Sequence, residues 1–191
     1  MDGARAAVGS CDLPTGVLIG EKVLKAIKFR ELAGPEEDLL ASNMGASLKM
    51  TEIMTNCTLD FGGLVNRIEI KRAIEKLVIT DRWFYLVQLR ILSLGSSYSF
   101  ESSHCDDAKD KITYDLRTVV IANPPDANTL FHEVTLPRSG KKIRWKIADG
   151  ETDAKIQKMA LSSKGKEASV ALFARVTECD SRPAALNDII D

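Results

Sequence analysis

Residues 79–100, ITDRWFYLVQLRILSLGSSYSF, contain the change of periodicity that most constrains this fold. Ahead of Gly95, apolar residues recur at the spacing of one helical face: Phe84, Val87, Ile91 and Leu94. Beyond Gly95, the apolar runs become short and rich in Thr, Val, Ile and aromatic residues, which is typical of strands. Glycine is common just after the end of a helix. The sequence therefore predicts a helix that Thr80 or Asp81 caps, that ends at Gly95, and that a β segment follows.

Upstream of that helix, the sequence predicts one strand and three further helices. EKVLKAIKFREL alternates apolar with polar residues, as a strand does. In GPEEDLLASNMG, Gly34 is expected to cap a helix whose first residue is Pro35 and whose first turn is acidic. Residues 48–58 and 69–78 also have helical periodicity. Residues 1–20 are rich in Gly, Ala and Ser without sustained periodicity, so we expect an arm that a neighbour must order.

The remainder of the chain predicts strands first and helices last. YSF, KITYDLRTVVI, TLFHEVTLP and KKIRWKI are strand-like, with PRSGKK as a hairpin turn, and we expect one small antiparallel sheet over about 97–148. ETDAKIQKMALSS, KEASVALFARVTE and RPAALNDIID are helical patterns over about 150–190. The fold class is thus α+β, with helices flanking a small antiparallel β-sheet. We expect an arm over 1–20 and a single domain over 21–191, whose helical part spans about 35–95.

Two segments of the chain resemble each other. IKFRELAGPEEDLL and IRWKIADGETDAKI each place Ile, a base, an aromatic residue, a base and then Gly in one register. Each predicts a strand that leads into a helix with an acidic start. Either the chain contains a duplicated unit, or two strand-to-helix junctions use the same capping chemistry.

Charge and cysteine content exclude several classes of protein. The 26 basic and 27 acidic residues give a net charge of −1, which does not favour nucleic acid or an anionic membrane as a partner. The four cysteines lie far apart and form no CxxC pair, which indicates a reducing compartment. No apolar run is long enough for a signal peptide or a membrane-spanning helix.

Chemistry-bearing residues form no coherent catalytic pattern, and we expect no enzyme and no cofactor. The sequence has no GxSxG, GxxxxGK[ST] or GxGxxG motif, and His132 lies in a strand pattern where a surface or core-edge position is typical. His104, Cys105 and the acids up to Asp110 could bind a metal, but a solvated loop explains them better, so no metal is predicted. The basic runs IKFR and RSGKKIRWK, with their aromatic residues, are the only signal for nucleic acid.

The three consecutive aromatic residues Trp83, Phe84 and Tyr85 cannot all face the core. Successive residues of a helix point about 100° apart. At least one of the three should therefore lie near the surface, where it is available to a neighbouring subunit.

Three segments, LPTG, IKFRELAGPEEDLL and ITDRWFYLVQLRILSLGSSYSF, carry a resemblance when they are taken together. As a set they resemble the T-even-type baseplate protein family of contractile-tailed bacteriophages. That family reads roughly as Leu-Pro-Ser, a strand, R-x-L-T-G-x-E-E-D-x-L, then D-x-x-x-L-L-x-x-L-R and S-x-G-x-x-Y. In this chain the pattern falls on Leu13, Pro14, Arg30, Leu32, Gly34, Glu36, Glu37, Asp38, Leu40, Asp81, Leu86, Leu89, Arg90, Ser93, Gly95 and Tyr98. Such families often carry paired cysteines after the Tyr strand, whereas this chain has only Cys105 there, which weakens a zinc site.

The resemblance implies a non-enzymatic structural component of a contractile tail baseplate or hub. Its location would be the virion, and the host cytoplasm during assembly. Its partners would be other tail or baseplate proteins and further copies of itself, without nucleic acid, membrane or small-molecule substrate. Asp81, Arg90 and Tyr98 join the aromatic cluster as candidate interface or structural residues. Two alternatives stay open: a tail assembly chaperone that is absent from the mature particle, and a small metal- or nucleic-acid-binding adaptor.

Overall fold

The computed structural model describes residues 6–103, 109–160 and 175–184. These residues have the predicted α+β architecture, with five α-helices and three small antiparallel sheets. In chain order the elements are β1 (Val8–Ile19), β2 (Lys22–Arg30), α1 (Gly34–Ala41), α2 (Ala46–Cys57), β3 (Thr58–Phe61), α3 (Arg67–Glu75), α4 (Ile79–Leu94), β4 (Ser97–Ser103), β5 (Lys109–Asp115), β6 (Phe131–Thr135), β7 (Lys142–Lys146), α5 (Gly150–Ala160), β8 (Val176–Cys179) and β9 (Arg182–Pro183).

The strands form three separate sheets, so the expectation of one sheet over 97–148 is wrong. Their orders are β1-β2-β3, β4-β5 and β6-β7-β8-β9. Between β5 and β6 lie a single 3₁₀ turn and a loop that contains Pro124 and Pro125. Proline has no N–H to donate to a ladder, so this Pro-Pro segment is itself unsuited to strand pairing. The predicted PRSGKK hairpin does join β6 to β7.

The expected N-terminal arm is wrong as well, because Val8–Ile19 is a strand of the main core. β1 pairs antiparallel with β2, and Leu13 and Val17 are buried. Gly9 has a packing role, since a Cβ there would lie 3.2 Å from the Phe29 ring and 3.3 Å from Leu92 of α4. The small residues that suggested a flexible arm thus include one that lets a helix approach the sheet. Residues 1–5 lie outside the described part.

The main core is formed by the first sheet and by α2, α3 and α4. Its buried members are Leu13, Val17, Ile27, Phe29, Ile53, Met54, Cys57, Phe61, Ile70, Ala73, Ile74, Leu77, Tyr85 and Leu89. Phe29 and Tyr85 meet edge to face with ring centroids 5.2 Å apart, and the Tyr85 hydroxyl shares a 2.8 Å hydrogen bond with Thr58 Oγ1. The packed aromatic pair fixes α4 across β1 and β2.

The two similar segments belong to the same supersecondary unit, which occurs twice. The first unit is β1, β2, α1, α2 and β3, and the described elements of the second unit are β6, β7, α5 and β8; in each unit the middle strand lies between the other two. Cross-strand pairs on the middle strand are Ile27–Phe61, Lys28–Asp60 and Phe29–Thr58 in the first unit, and Ile143–Cys179, Arg144–Glu178 and Trp145–Val176 in the second. Each set is interrupted by a register shift before the aromatic residue.

The turns that follow β3 and β8 extend the likeness. Gly62 and Gly63 have φ of 59° and 96°, and Asp180 and Ser181 have φ of 48° and 64°. Two consecutive positive φ values are typical of a type I′ turn. The two units therefore share their strand order, their strand register, the register shift on the middle strand and the type of turn after the last strand.

The helix starts of the two units use different residues. In the first unit the Glu36 carboxylate accepts from the Ala33 N–H at 3.1 Å and binds the Arg30 guanidinium at 2.9 Å and 3.0 Å. In the second unit Asp149 itself precedes the helix, accepts from the Thr152 N–H at 2.9 Å and pairs with Lys146. The two units therefore share strand order and register, while the carboxylates at their helix starts come from different positions.

The predicted helix boundaries need several corrections. Ala33, and not Gly34, is the residue before α1, and α2 and α3 begin two residues earlier than predicted. KEASVALFARVTE does not end as a helix, because Val176–Cys179 is strand β8 paired with β7. The β-branched Val176 and Thr177 suit a strand, and pairing decides the outcome. Residues 161–174 and 185–191, which carry the rest of the last two predicted helices, lie outside the described part.

Candidate functional site

Asp81 connects α4 to the LPTG segment of β1 and does not cap the helix. The residue that precedes the helix is Val78. The Asp81 carboxylate is buried and accepts hydrogen bonds from the Thr15 N–H at 3.1 Å and the Gly16 N–H at 2.6 Å. Burial raises the pKa of Asp81 above its usual 3.8, although these two amides oppose the rise. Asp81 is therefore a structural residue, in a role other than the predicted one.

Arg82, which sequence reasoning missed, lies fully buried between α2, α3 and α4. Its guanidinium donates to the Ile74 carbonyl at 3.1 Å, the Ser47 carbonyl at 3.2 Å and Thr51 Oγ1 at 2.9 Å. Burial lowers the pKa of Arg82, and the carboxylates of Asp153, Asp149 and Glu75 oppose this. The cation thus joins α2 and α3 to α4.

The junction between β7 and α5 in the second unit contacts the start of α4 and the buried Arg82. The Ile79 N–H donates to the Ala148 carbonyl at 3.0 Å, and the Gly150 N–H donates to the Leu77 carbonyl at 3.1 Å. A Cβ on Gly150 would overlap the Arg82 guanidinium. The absence of a side chain at Gly150 lets this junction close over the buried cation.

The buried face of α4 differs from the predicted one. Asp81, Arg82, Tyr85 and Leu89 are its buried residues. Phe84, Val87 and Ile91 are half-buried, and Leu94 is 69% exposed. Arg82, Tyr85 and Leu89 follow helical spacing, so the signal for Arg82 was its place on the same stripe as two apolar residues. A hydrophobic pattern alone passes over such a charged residue.

The aromatic cluster divides as expected between surface and core. Trp83 is 56% exposed, Phe84 is half-buried and Tyr85 is fully buried. Burial raises the pKa of Tyr85, so its hydroxyl stays protonated. Trp83 is available to a neighbouring protein, and its interface role stays a prediction.

Arg90 has a fixed partner, the backbone that follows the helix. Its guanidinium donates to the Gly95 carbonyl at 2.6 Å and to the Ser97 carbonyl at 3.3 Å. The Leu116 N–H donates to the Ser96 carbonyl at 2.8 Å, which closes the base of the β4–β5 hairpin. Arg90 therefore binds the end of α4 to the start of β4.

The β4–β5 hairpin presents an exposed apolar face. Tyr98 lies opposite Tyr114, and Phe100 lies opposite Ile112. Because strand side chains alternate, these four residues share one face, while Ser97, Ser99, Lys111 and Thr113 are on the other. The four apolar side chains are 42–47% exposed. Within the described part of the chain, β4 and β5 pair only with each other.

Three cations of the basic strands are paired with carboxylates of this chain. Arg30 is bound to Glu36, Arg144 pairs with Glu178 at 3.3 Å, and Lys146 pairs with Asp149. Arg144 also lies 4.7 Å above the centre of the Phe131 ring. Neutralised cations contribute little to nucleic-acid binding.

A metal site does not form among the described residues. No group of three or more His, Cys, Asp and Glu side chains comes together there. Cys57 and Cys179 are buried in two different clusters, and burial raises the pKa of Cys57 to about 12. The proposed ligands His104, Cys105, Asp106 and Asp107 lie outside the described part of the chain.

Comparisons with known proteins identify no relative of this chain. No family model, curated protein sequence or solved structure matches this chain. Among the described residues, no helix is both long enough and apolar enough to cross a membrane.

Proposed function

We propose that this protein acts through protein–protein contacts, as a structural component of a contractile tail baseplate or hub. The supporting structural observation is the exposed apolar face of the β4–β5 hairpin, and the tail assignment rests on the sequence resemblance. Three carboxylates of the described chain are engaged in structural contacts: Asp81 accepts from backbone amides, and Glu36 and Asp149 accept from amides at helix starts. This use of polar groups fits an assembly role.

The size of the hairpin face favours a contact that also uses a strand edge. Buried aromatic side chains cover about 150–250 Å² each, so four half-exposed apolar side chains present on the order of 350 Å². A stable interface needs roughly 800 Å² from each partner. Among the described strands β4 and β5 pair only with each other, so a partner strand that pairs with an outer edge of either would supply additional contact through main-chain hydrogen bonds.

The base of the hairpin is fixed before any partner arrives. Arg90 and the Leu116–Ser96 hydrogen bond tie it to the end of α4, whose other side is packed on the first sheet. A preformed surface loses less conformational entropy on binding than a flexible one. The hairpin is therefore suited to serve as an assembly contact.

Two experiments test this proposal. The first is mass spectrometry of purified particles of the virus that encodes this chain, in which we expect to detect the protein in tail fractions. Its absence from particles whose assembly requires it would contradict the structural role and identify an assembly chaperone.

The second experiment compares Phe100→Lys with Ser97→Lys in particle assembly. The two residues lie on opposite faces of one strand and are both exposed, so neither change should unfold the chain. We expect Phe100→Lys to reduce incorporation into particles at least tenfold and Ser97→Lys to leave it unchanged. Equal incorporation of the two variants would exclude this face as an assembly contact.

A further inference from the structure

A groove of about 460 Å³ lies beside the end of β7, next to the start of α4. Its apolar walls include Ile79 at the start of α4, Pro125 in the loop before β6, and Trp145 and Ile147. All four are half-buried, so each keeps surface that a bound molecule could cover. Trp145 also packs against the buried cluster of the second unit. The indole therefore lies at the boundary between that core and the groove.

Backbone hydrogen bonds fix the walls of the groove. The Ile147 N–H donates to the Leu130 carbonyl at 2.9 Å, and the Ile79 N–H donates to the Ala148 carbonyl at 3.0 Å. A wall that is fixed in advance loses little conformational entropy when a ligand binds. Ligand sites in proteins usually have volumes of about 300–1,000 Å³, with mostly apolar walls and a few polar groups. The groove has both properties.

Three polar side chains of the groove are free to bind a ligand. Thr80, Asn123 and Arg175 line it, and all three residues are exposed. Within the described part of the chain, none of these side chains makes a hydrogen bond or an ion pair. Asn123 has a φ of 52°, a conformation that asparagine adopts more readily than most residues. A ligand could therefore bind these groups without breaking an internal contact.

Arg175 makes one end of the groove positive. It directly precedes Val176, which lies opposite Trp145 in the pairing of β7 with β8. No Asp or Glu occurs among the described residues that line the groove. The planar guanidinium of arginine binds a carboxylate through two parallel hydrogen bonds. The charge of the groove thus complements a carboxylate, and its walls complement an apolar group.

We propose that this groove binds a peptide segment of a partner protein that carries a carboxylate beside an apolar side chain. The carboxylate pairs with Arg175, and the apolar side chain packs on Trp145 and Ile147. The Asn123 amide, which can both donate and accept, binds a peptide group of the segment. A C-terminal carboxylate and the side chain of Asp or Glu offer the same chemistry, and the experiment below separates them.

The test measures Trp145 fluorescence in the purified full chain. Trp83→Phe leaves Trp145 as the only tryptophan, since the chain has two. The probes are acetyl-alanyl-leucine, with a C-terminal carboxylate, acetyl-leucyl-glutamic acid α-amide, with a side-chain carboxylate, and the neutral acetyl-alanyl-leucinamide. We expect a saturable change with at least one acid at millimolar concentration and at least fivefold weaker binding of the neutral amide. The groove lies outside the β4–β5 hairpin, so the result is independent of the proposed assembly contact.

Arg175→Gln should weaken binding of the acid at least fivefold, so that acid and neutral amide then bind equally. Arg138→Gln is the matched control, because Arg138 is an exposed arginine in the β6–β7 turn that does not line the groove. It should change the affinity less than twofold, and circular dichroism should show both variants folded. Three results would overturn the inference: no saturable change at tens of millimolar of either acid, equal affinity of acid and neutral amide, or equal affinity of the two variants for the acid.

Discussion

Replacing Arg82 by Ala removes the donor for three buried acceptors at once. The Ile74 and Ser47 carbonyls and Thr51 Oγ1 would lose a charged partner, with a cavity at the place of the guanidinium. Hydrogen bonds to charged groups contribute about 1.5–3 kcal/mol each. The cost of burying the cation, which also lowers its pKa, offsets part of that sum. A buried acceptor left without its donor costs about 1–3 kcal/mol, so for three acceptors, less this offset, we expect a loss of about 3–5 kcal/mol.

Arg90→Ala is the matched control for this prediction. It is the same substitution in the same helix, but its hydrogen bonds to the Gly95 and Ser97 carbonyls are exposed, so we expect a loss below about 1 kcal/mol. For a chain of this size, 1 kcal/mol shifts the melting temperature by about 2–4 °C. Thermal and urea unfolding followed by circular dichroism should therefore separate the variants by roughly 10 °C. Equal destabilisation of the two would refute the assignment of Arg82 as the central contact.

Three further predictions concern single residues. Gly150→Ala should destabilise the protein by about 1–3 kcal/mol through overpacking, while Gly34→Ala at the equivalent helix start, where a Cβ meets nothing, should be neutral in the same urea titration. Asp81→Asn should cost about 1.5–3 kcal/mol, and the Gly16 amide should exchange faster with deuterium; unchanged exchange would contradict the contact. Burial raises the pKa of Glu36, but hydrogen bonds lower it more, to below its ordinary 4.5. Its stabilising effect is then present above that value and is lost as the pH falls through the folded-state pKa. The difference in unfolding free energy between the wild type and Glu36→Gln should narrow on acidification, and a constant difference would argue against this carboxylate as the cause.

The sequence predicted the helices and strands whose ends are marked by nearby glycine, proline or acidic residues. The helix that stops at Gly95, the hairpin between β6 and β7 and the two strand-to-helix units were all visible in the sequence. In each case a glycine, a proline or an acidic first turn marks a boundary within a few residues. Helical geometry alone predicted that at least one of Trp83, Phe84 and Tyr85 would lie near the surface, and Trp83 is exposed.

Features that depend on distant partners escaped the same reasoning. β1 is stabilised by pairing with β2 and packing on α4, and its Gly9 has a meaning only beside Leu92. β8 resembled a helix until its pairing with β7 was known. The position of Arg82 on the stripe of Tyr85 and Leu89 was visible in the sequence, but its hydrogen-bond role depends on the carbonyls of Ile74 and Ser47. The periodicity of one segment does not show which pairing strand, packing surface or hydrogen-bond acceptor a distant segment will provide.

The closing of Gly150 over Arg82 has a consequence for the order of events during synthesis. The chain emerges from the ribosome with its N-terminal end first, so α4 and its arginine are made well before residues 148–150. Until that junction arrives, the Leu77 carbonyl and the Ile79 N–H have no backbone partner from the second unit, and water can reach the guanidinium. A hydrated guanidinium carries no desolvation penalty, whereas a guanidinium without water needs hydrogen-bond acceptors around it to offset that penalty. We therefore expect the nascent N-terminal half to remain a hydrated intermediate, which loses its water from around Arg82 only when the second unit docks.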